Sequence, residues 1–186
     1  MLHNLGTDSI IWGFAGGFSG EELCRQLTAA GLRQELIFLH NGITRINVKL
    51  SAGQETEVNA KGPRAEEEAL QIFYRRLEAL TAEDYVVLSG SLLPGMPCDS
   101  YRQIMQQLQG RGVHFTVDAT GETLKETLPL HPFLIKPNQR ELEELFKTEI
   151  TERSQVAEIA KQLQNMGAEN VLVSRGGDGA VCVAAD

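Results

Sequence analysis

Short apolar runs alternate with longer amphipathic stretches along most of the chain. The short runs are rich in β-branched residues and end at turn residues, which predicts strands, whereas the longer stretches repeat their apolar positions with helical spacing. The predicted strands are 9–14, 36–39, 85–88, 113–117, 133–135, 170–173 and 180–184. The predicted helices are 21–30, 65–81, 100–110, 122–128, 139–146 and 155–166. Strands separated by helices predict an α/β fold with a mostly parallel sheet covered by helices.

One segment departs from this alternation and predicts a small β lid. From Thr44 to Ser51 the apolar residues Ile46, Val48 and Leu50 alternate with polar ones, so a strand here has one apolar face. A turn at 51–54 and a return strand at 55–59 complete a predicted hairpin, and no helix follows to cover it. We therefore predict a lid or an association surface at residues 35–62, apart from an α/β domain made of 1–34 and 63–186.

Composition and charge narrow the classes of function. The 186 residues hold 25 acidic against 17 basic side chains, a net charge of −8, which argues against a nucleic-acid or anionic-membrane partner. A small anionic ligand remains compatible, since its pocket needs only one or two cations. The three cysteines and four histidines show no metal-ligand spacing. No apolar run is long enough to span a membrane and the N-terminal residues do not resemble a signal peptide, so we predict a cytoplasmic protein.

The segment Ser174-Arg175-Gly176-Gly177-Asp178-Gly179 follows a predicted strand and has two interpretations. Glycines allow backbone N–H groups to approach a phosphate closely, which predicts a nucleotide loop. Gly-Asp-Gly is also typical of a plain β-hairpin turn, and from spacing alone the turn is the better interpretation.

The segment Lys136-Pro-Asn138 is ambiguous in the same way. Asn138 is a strong helix N-cap, and Glu141 lies three residues later, as in a capping box. Alternatively, Asn138 and Glu141 face a cleft at the strand end and hold a hydrated metal beside a nucleotide. The two interpretations are compatible, because a helix N-terminus is itself favourable for anions.

Two further polar residues have weaker signals. Ser91, in Ser89-Gly90-Ser91, could bind a sugar or a phosphate, or simply form a turn. Arg45 could contact a ligand from the hairpin, or be a solvated strand residue. The glycines of 13–20 do not fit G-x-G-x-x-G, and the chain contains no P-loop motif.

The order of these motifs carries more information than any one of them. A G-G-F-x-G turn precedes T-R-I-N-V-K, and then come S-G-S-L-x-P-G, V-D-x-x-G-E, I-K-P-N-x-x-E-L and V-S-x-G-G-D-G-A. This succession resembles the PfkB, or ribokinase-like, carbohydrate kinases over nearly the whole chain. Within them it looks most like the branch of 1-phosphofructokinases and tagatose-6-phosphate kinases. The resemblance implies a ribokinase-like three-layer fold with a β lid, incomplete at both ends.

The resemblance also implies roles for individual residues. Members transfer the terminal phosphate of ATP to a sugar hydroxyl with Mg²⁺. Arg45 matches the lid arginine that contacts the substrate phosphate, and Ser91 matches the substrate-contacting serine. Asp118 matches a strand-end aspartate with an orienting role, and Glu141 matches the Mg²⁺-linked glutamate, which acts through water. The ATP-binding positions are matched by Lys136, Asn138, Ser174, Arg175, Gly176, Gly177, Asp178 and Gly179.

Two family segments do not occur among the 186 residues. The first carries N-P-A-x-D and G-G-K-G-x-N for the sugar; the second carries G-A-G-D, whose aspartate is the catalytic base and would lie beyond Asp186. The resemblance therefore implies a kinase of a ketohexose phosphate, with fructose 1-phosphate favoured over tagatose 6-phosphate or fructose 6-phosphate, but assigns no catalytic base here. The rival is a non-catalytic fragment. Because the hairpin's apolar face needs cover, a homodimer through the lid is also predicted.

Overall fold

The computed structural model describes residues 3–52 and 54–185, and it divides into two compact units. One unit comprises Met1–Arg76 and Leu93–Met96, and the other comprises Leu77–Leu92 and Pro97–Asp186. The strands are β1 Ile10–Gly16, β2 Arg33–Leu39, β3 Asn47–Ala52, β4 Gln54–Asn59, β5 Tyr85–Ser89, β6 His114–Asp118, β7 Leu134–Ile135, β8 Asn170–Ser174 and β9 Ala180–Val183. The α-helices are α1 Gly17–Ala29, α2 Glu67–Leu77, α3 Ser100–Gln107, α4 Gly121–Thr127, α5 Gln139–Phe146 and α6 Arg153–Asn165.

The first unit is built on a β-α-β motif. Strands β1 and β2 are parallel, with Ile10 opposite Arg33 and Gly16 opposite Leu39. Helix α1 connects them and ends at Ala29 with Ala30 as its C-cap, after which Gly31 takes a φ of 72°, a conformation that glycine adopts at low cost. The core of this unit contains Ile37, Leu39 and Ala69, with Phe14 and Phe73 packed against it. Apolar burial thus joins β2 to helix α2.

The hairpin belongs to the first unit, and its stem is held by an ion pair. Strands β3 and β4 are antiparallel, with Val48 opposite Val58. Before the hairpin, His40 Nδ1 lies 2.9 Å from Glu66 Oε2, and the Asn41 amide donates to Glu66 Oε1 at 3.0 Å. The hydrogen bond to Glu66, with its negative charge, raises the pKa of His40 above its ordinary value. The chain entering the hairpin is thereby tied to the chain leaving it.

The second unit is a five-stranded sheet in the order β5-β6-β7-β8-β9. The first four strands are parallel and adjacent in chain order, and β9 returns antiparallel to β8. Right-handed crossovers between strands taken in sequence place every connecting helix on the same face of the sheet. The carboxyl ends of the parallel strands also meet at one edge, where ligands of such sheets bind.

Burial follows from this topology. Leu88, Val117, Ile135, Val171 and Val173 alternate onto the helix-covered face and are buried. The opposite face carries Tyr85 and Val87, whose exposed fractions are 65% and 54%. On this second face, the edge strand β5 is therefore accessible to solvent.

The α/β class predicted from the sequence is confirmed, with differences in extent. Helix α1 begins at Gly17 rather than at residue 21, so the glycine-rich segment is partly helical and partly strand β1. Helix α2 covers Glu67–Leu77, less than the predicted 65–81. The predicted turn at 51–54 includes Gly53, which lies outside the described residues. Strand β2 pairs with β1, so residues 35–39 lie in a sheet separate from the hairpin, and the predicted division into domain and lid stays a prediction.

None of the helices within residues 3–52 and 54–185 has the length and apolar character that a membrane span requires.

Candidate functional site

The carboxyl ends of β6 and β7 bring together two residues that the sequence singled out separately. Val117 is paired with Ile135, so the next residues, Asp118 and Lys136, lie side by side. Lys136 Nζ is 3.3 Å from Asp118 Oδ1, and both side chains are partly exposed, at 42% and 36%. A cation and an anion thus share this edge of the sheet, and a ligand anion near Lys136 would compete with Asp118.

Helix α5 begins beside this pair with a complete capping box. The Asn138 side chain accepts a hydrogen bond from the Glu141 amide at 2.9 Å, and Glu141 Oε2 accepts from the Asn138 amide at 2.8 Å. The structural interpretation of these residues is therefore correct. The metal interpretation stays a prediction. Glu141 is half-buried.

The loop 175–179 connects β8 to β9, so it is also the turn of a β-hairpin. The Arg175 amide donates to the Gly179 carbonyl at 2.8 Å, and the Asp178 amide donates to the Arg175 carbonyl at 3.1 Å. Cβ atoms built on Gly176, Gly177 and Gly179 would meet nothing within 4 Å. The protein does not need these glycines for its own packing, which leaves the backbone accessible to a ligand.

The two predicted nucleotide segments are in contact. Asn138 and Ser174 form a parallel β-bridge, and the Ser174 amide donates to the Pro137 carbonyl at 3.1 Å. Arg175 Nε donates to Gln139 Oε1 at 2.9 Å. The structure therefore places the K-P-N turn and the glycine loop side by side at the carboxyl ends of β7 and β8.

The Ser89-Gly90-Ser91 loop follows β5 at the same edge of the sheet. Gly90 has a φ of 89°, and its carbonyl accepts a hydrogen bond from the Tyr101 hydroxyl at 3.0 Å. Burial, reinforced by the charge of Asp118, raises the pKa of Tyr101 to about 12, so the phenol keeps its donor proton. Ser91 itself is exposed.

Arg45 lies in the first unit, between β2 and β3, and is exposed. It precedes the hairpin strand by two residues, where the sequence predicts a lid arginine. Its predicted contact with a substrate phosphate stays a prediction.

Sequence reasoning missed Gln139 and Tyr101, which fix Arg175 and Gly90 respectively. Neither could be found from motif spacing, since each acts through a contact distant in the chain. The Asp118–Lys136 pair had a signal, because each is the first polar residue after a buried strand. In the described parts of the chain, no cluster of three or more His, Cys, Asp or Glu residues could hold a metal ion by itself.

A mostly parallel sheet with polar and glycine-rich loops at its carboxyl edge defines an α/β protein of the class that binds its ligands at that edge. The whole chain, residues 1–186, matches the pfkB family of carbohydrate kinases. The protein belongs to that family, as the order of its motifs predicted.

Named relatives agree with the family. The chain is 39% identical over 169 residues to a 1-phosphofructokinase of Bacillus subtilis, covering 91% of this chain and 55% of the relative. It is 31% identical over 182 residues to a D-tagatose-1-phosphate kinase of Bacillus licheniformis, covering 97% of this chain and 60% of the relative. The chain thus spans little more than half the length of these relatives.

Solved structures give the same fold. Phosphofructokinase-2 of Escherichia coli in complex with fructose-6-phosphate has a TM-score of 0.88 and 28% identity, covering all of this chain and 62% of that one. The tetrameric inhibited form of that enzyme has a TM-score of 0.87 and the same identity. The ribokinase-like fold predicted from the motifs is confirmed.

Proposed function

We propose that this chain serves ATP-dependent phosphorylation of a ketohexose phosphate, with fructose 1-phosphate converted to fructose 1,6-bisphosphate. In this reaction the sugar's 6-hydroxyl oxygen forms a bond to the terminal phosphorus of ATP, the bond from that phosphorus to ADP breaks, and the hydroxyl proton passes to a base. The relatives named 1-phosphofructokinase support this substrate over the alternatives tagatose 6-phosphate and fructose 6-phosphate.

The observation that carries the proposal is the contact between the K-P-N turn and the glycine loop. The bridge from Asn138 to Ser174 fixes both segments at one sheet edge. Phosphoryl transfer depends mainly on positioning and on charge neutralisation, which backbone N–H groups and a lysine can supply. In this proposal the residues 174–179 and Asn138 hold ATP, and Lys136 neutralises part of its charge.

The Mg²⁺ of this reaction would arrive with the nucleotide. Mg²⁺ is commonly held by one or two carboxylates together with phosphates and waters. Glu141 fits that pattern, because it is a half-buried carboxylate at the sheet edge, and its Oε2 is already engaged by the Asn138 amide. We therefore assign Glu141 to the water shell of a nucleotide-borne Mg²⁺, which would neutralise phosphate charge.

Replacing Gly177 by alanine tests the nucleotide loop. The new methyl group meets nothing within 4 Å, and no positive φ has to be given up, so the fold should keep its stability. A nucleotide lying on the loop backbone would meet that methyl group. We expect the affinity for Mg·ATP to fall about tenfold, or ~1.4 kcal/mol, in calorimetric titrations of the two proteins.

Gly13→Ala is the matched control, because its methyl group makes an ordinary 3.6 Å contact with Leu36 in the first unit. It should bind Mg·ATP as the unchanged chain does. Equal affinities for the Gly177 variant, the control and the unchanged chain would contradict the loop assignment.

The second candidate is a non-catalytic chain. ADP release in the presence of fructose 1-phosphate, ATP and Mg²⁺ separates the two candidates. Release above a no-protein control supports the kinase, and Mg·ATP binding without release supports the non-catalytic chain.

We also propose that the chain forms a homodimer through the hairpin. Ile46, Val48, Leu50 and Val58 alternate onto one face and are 52%, 44%, 52% and 55% exposed. A two-stranded sheet with an uncovered apolar face is marginally stable in water, so a second copy of that face is a fitting cover.

Val48→Asp tests the dimer, since it places a charge in the centre of the apolar face opposite Val58. We expect sedimentation to show the unchanged chain as a dimer and the variant as a monomer, with dimer affinity lowered tenfold or more. Asn47→Asp adds the same charge to the other face of β3 and should leave the dimer intact. A clean monomer for the unchanged chain at high concentration would refute the proposal.

A further inference from the structure

The segment before the hairpin is hydrogen-bonded to the junction of β1 and α1 through Thr44. Its amide donates to the Gly16 carbonyl at 2.8 Å, and its Oγ1 accepts from the Gly16 amide at 3.0 Å. Its carbonyl accepts from the Ser19 hydroxyl at 2.7 Å. All the polar groups of Thr44 are therefore engaged with residues 16–19.

The turn is shaped to admit this segment. A Cβ on Gly17 would lie 2.6 Å from Ile43 Cγ2, and a Cβ on Gly20 would lie 3.0 Å from Thr44 Oγ1. A side chain at Gly17 would force Ile43 to shift, and one at Gly20 would press on both Thr44 and Ala15. Gly16 and Gly20 are buried, so the contact between this segment and residues 16–20 excludes solvent.

The geometry has a direct consequence for the next residue. The Thr44 carbonyl belongs to the same peptide plane as the Arg45 amide, so the bond from Ser19 fixes the orientation of that plane. The bonds from Gly16 fix the position of Thr44. Arg45 is thus held at its backbone while its side chain is exposed.

We propose that Thr44 is a positioning residue for Arg45, which sets where the arginine presents its guanidinium to a sugar phosphate. This inference rests on the proposed function in taking Arg45 as the phosphate ligand. A charged group held in place loses less freedom on binding than one that must be ordered by its ligand. Thr44 should therefore contribute to the affinity for the sugar phosphate only when Arg45 is present.

The test is a double-mutant cycle between Thr44→Val and Arg45→Ala, with fructose 1-phosphate affinity measured by calorimetry. Valine keeps the shape of threonine and removes Oγ1, which leaves the buried Gly16 amide without that acceptor. We expect Thr44→Val to lower affinity about tenfold when Arg45 is present and to have no further effect in the Arg45→Ala background. Thr44→Ser, which restores the oxygen, should recover most of the loss.

Two measurements separate positioning from a purely structural role. Unmodified fructose should bind Thr44→Val and the unchanged chain alike, since it carries no phosphate. Equal losses in both arginine backgrounds, or a lowered melting temperature with unchanged affinity, would overturn the inference.

Amide hydrogen exchange tests the role of Thr44 without any sugar, and so independently of the proposed function. Amide hydrogen exchange at Thr44 and Arg45 should accelerate in Thr44→Val and in Ser19→Ala, because each removes one of the docking bonds. If fructose 1-phosphate does not bind the unchanged chain, the proposed function is contradicted while faster exchange still supports the docking. Unchanged exchange at both residues overturns the positioning role itself.

Discussion

Gly167→Ala should destabilise the second unit more than any other single glycine substitution in the described chain. Gly167 follows helix α6 and has a φ of 132°, a region that is essentially reserved for glycine. A Cβ built there overlaps the carbonyl oxygen of Leu128 and lies 2.8 Å from its carbonyl carbon. Both are backbone atoms next to a buried side chain, so no flexible group can move aside.

Two costs add in this variant. The unfavourable φ costs an L-residue about 1–2 kcal/mol, and forcing the two backbones apart costs roughly another 1–3 kcal/mol. We therefore expect the free energy of unfolding to fall by about 2–5 kcal/mol in urea titrations followed by far-ultraviolet circular dichroism. The His131 ring, which hydrogen-bonds the Gly167 carbonyl at 3.0 Å, would lose its partner as well.

Gly110→Ala is the matched control for this prediction. Gly110 has a φ of 80°, but a Cβ there meets nothing within 4 Å, so only the conformational cost of about 1–2 kcal/mol applies. The difference between the variants isolates the contact with Leu128. Equal unfolding midpoints would show that the α6–β8 turn accommodates a side chain, contrary to the close approach described.

The parts of this fold that the sequence predicted well are those with local causes. Helix α5 was predicted with its observed bounds, because Asn138 and Glu141 cap it within a single turn. Helix α1 was predicted too short, because its first turn contains Gly17 and Gly20, residues that lower helix propensity. Those glycines lie against Ile43 and Thr44, which are remote in sequence.

The exposure of Tyr85 and Val87 on the five-stranded sheet illustrates the same limit. Alternation within β5 indicates two faces, but it does not tell which face the helices take. That choice depends on the order of four strands and on the hand of three crossovers. Tyr85 and Val87 are therefore exposed for a topological reason that no single segment contains.

The sequence also predicted the segments of the candidate site, but not the side-chain contacts between them. Motif order identified the K-P-N turn and the glycine loop, and their proximity follows from the neighbouring strands β7 and β8. The contact of Arg175 with Gln139 and of Tyr101 with Gly90 depends on side-chain directions after folding. The purely structural interpretations were also correct, because the capping box and the hairpin turn are both present. These two features form the loops that we propose to bind the nucleotide.

Arg45→Ala should have the largest effect on binding of fructose 1-phosphate, because we propose Arg45 as the ligand of its phosphate. A guanidinium forms charge-assisted, often bidentate hydrogen bonds with a phosphate, and each is worth about 1.5–3 kcal/mol. Calorimetry should therefore show the affinity for fructose 1-phosphate falling roughly 10- to 100-fold, while unmodified fructose binds as before. Arg45→Lys should recover only part of the loss, since a lysine offers a point charge rather than a planar fork.

The control for this loss is Lys49→Ala, which removes the same charge from an exposed position farther along the hairpin. General attraction of the hairpin for anions would weaken equally in both variants, and it would be screened strongly by salt. A specific contact requires the Arg45 variant alone to lose affinity, with Mg·ATP binding unchanged. An equal loss for Arg45→Ala and Lys49→Ala would show that the hairpin attracts anions only through its general charge, and that another residue binds the phosphate.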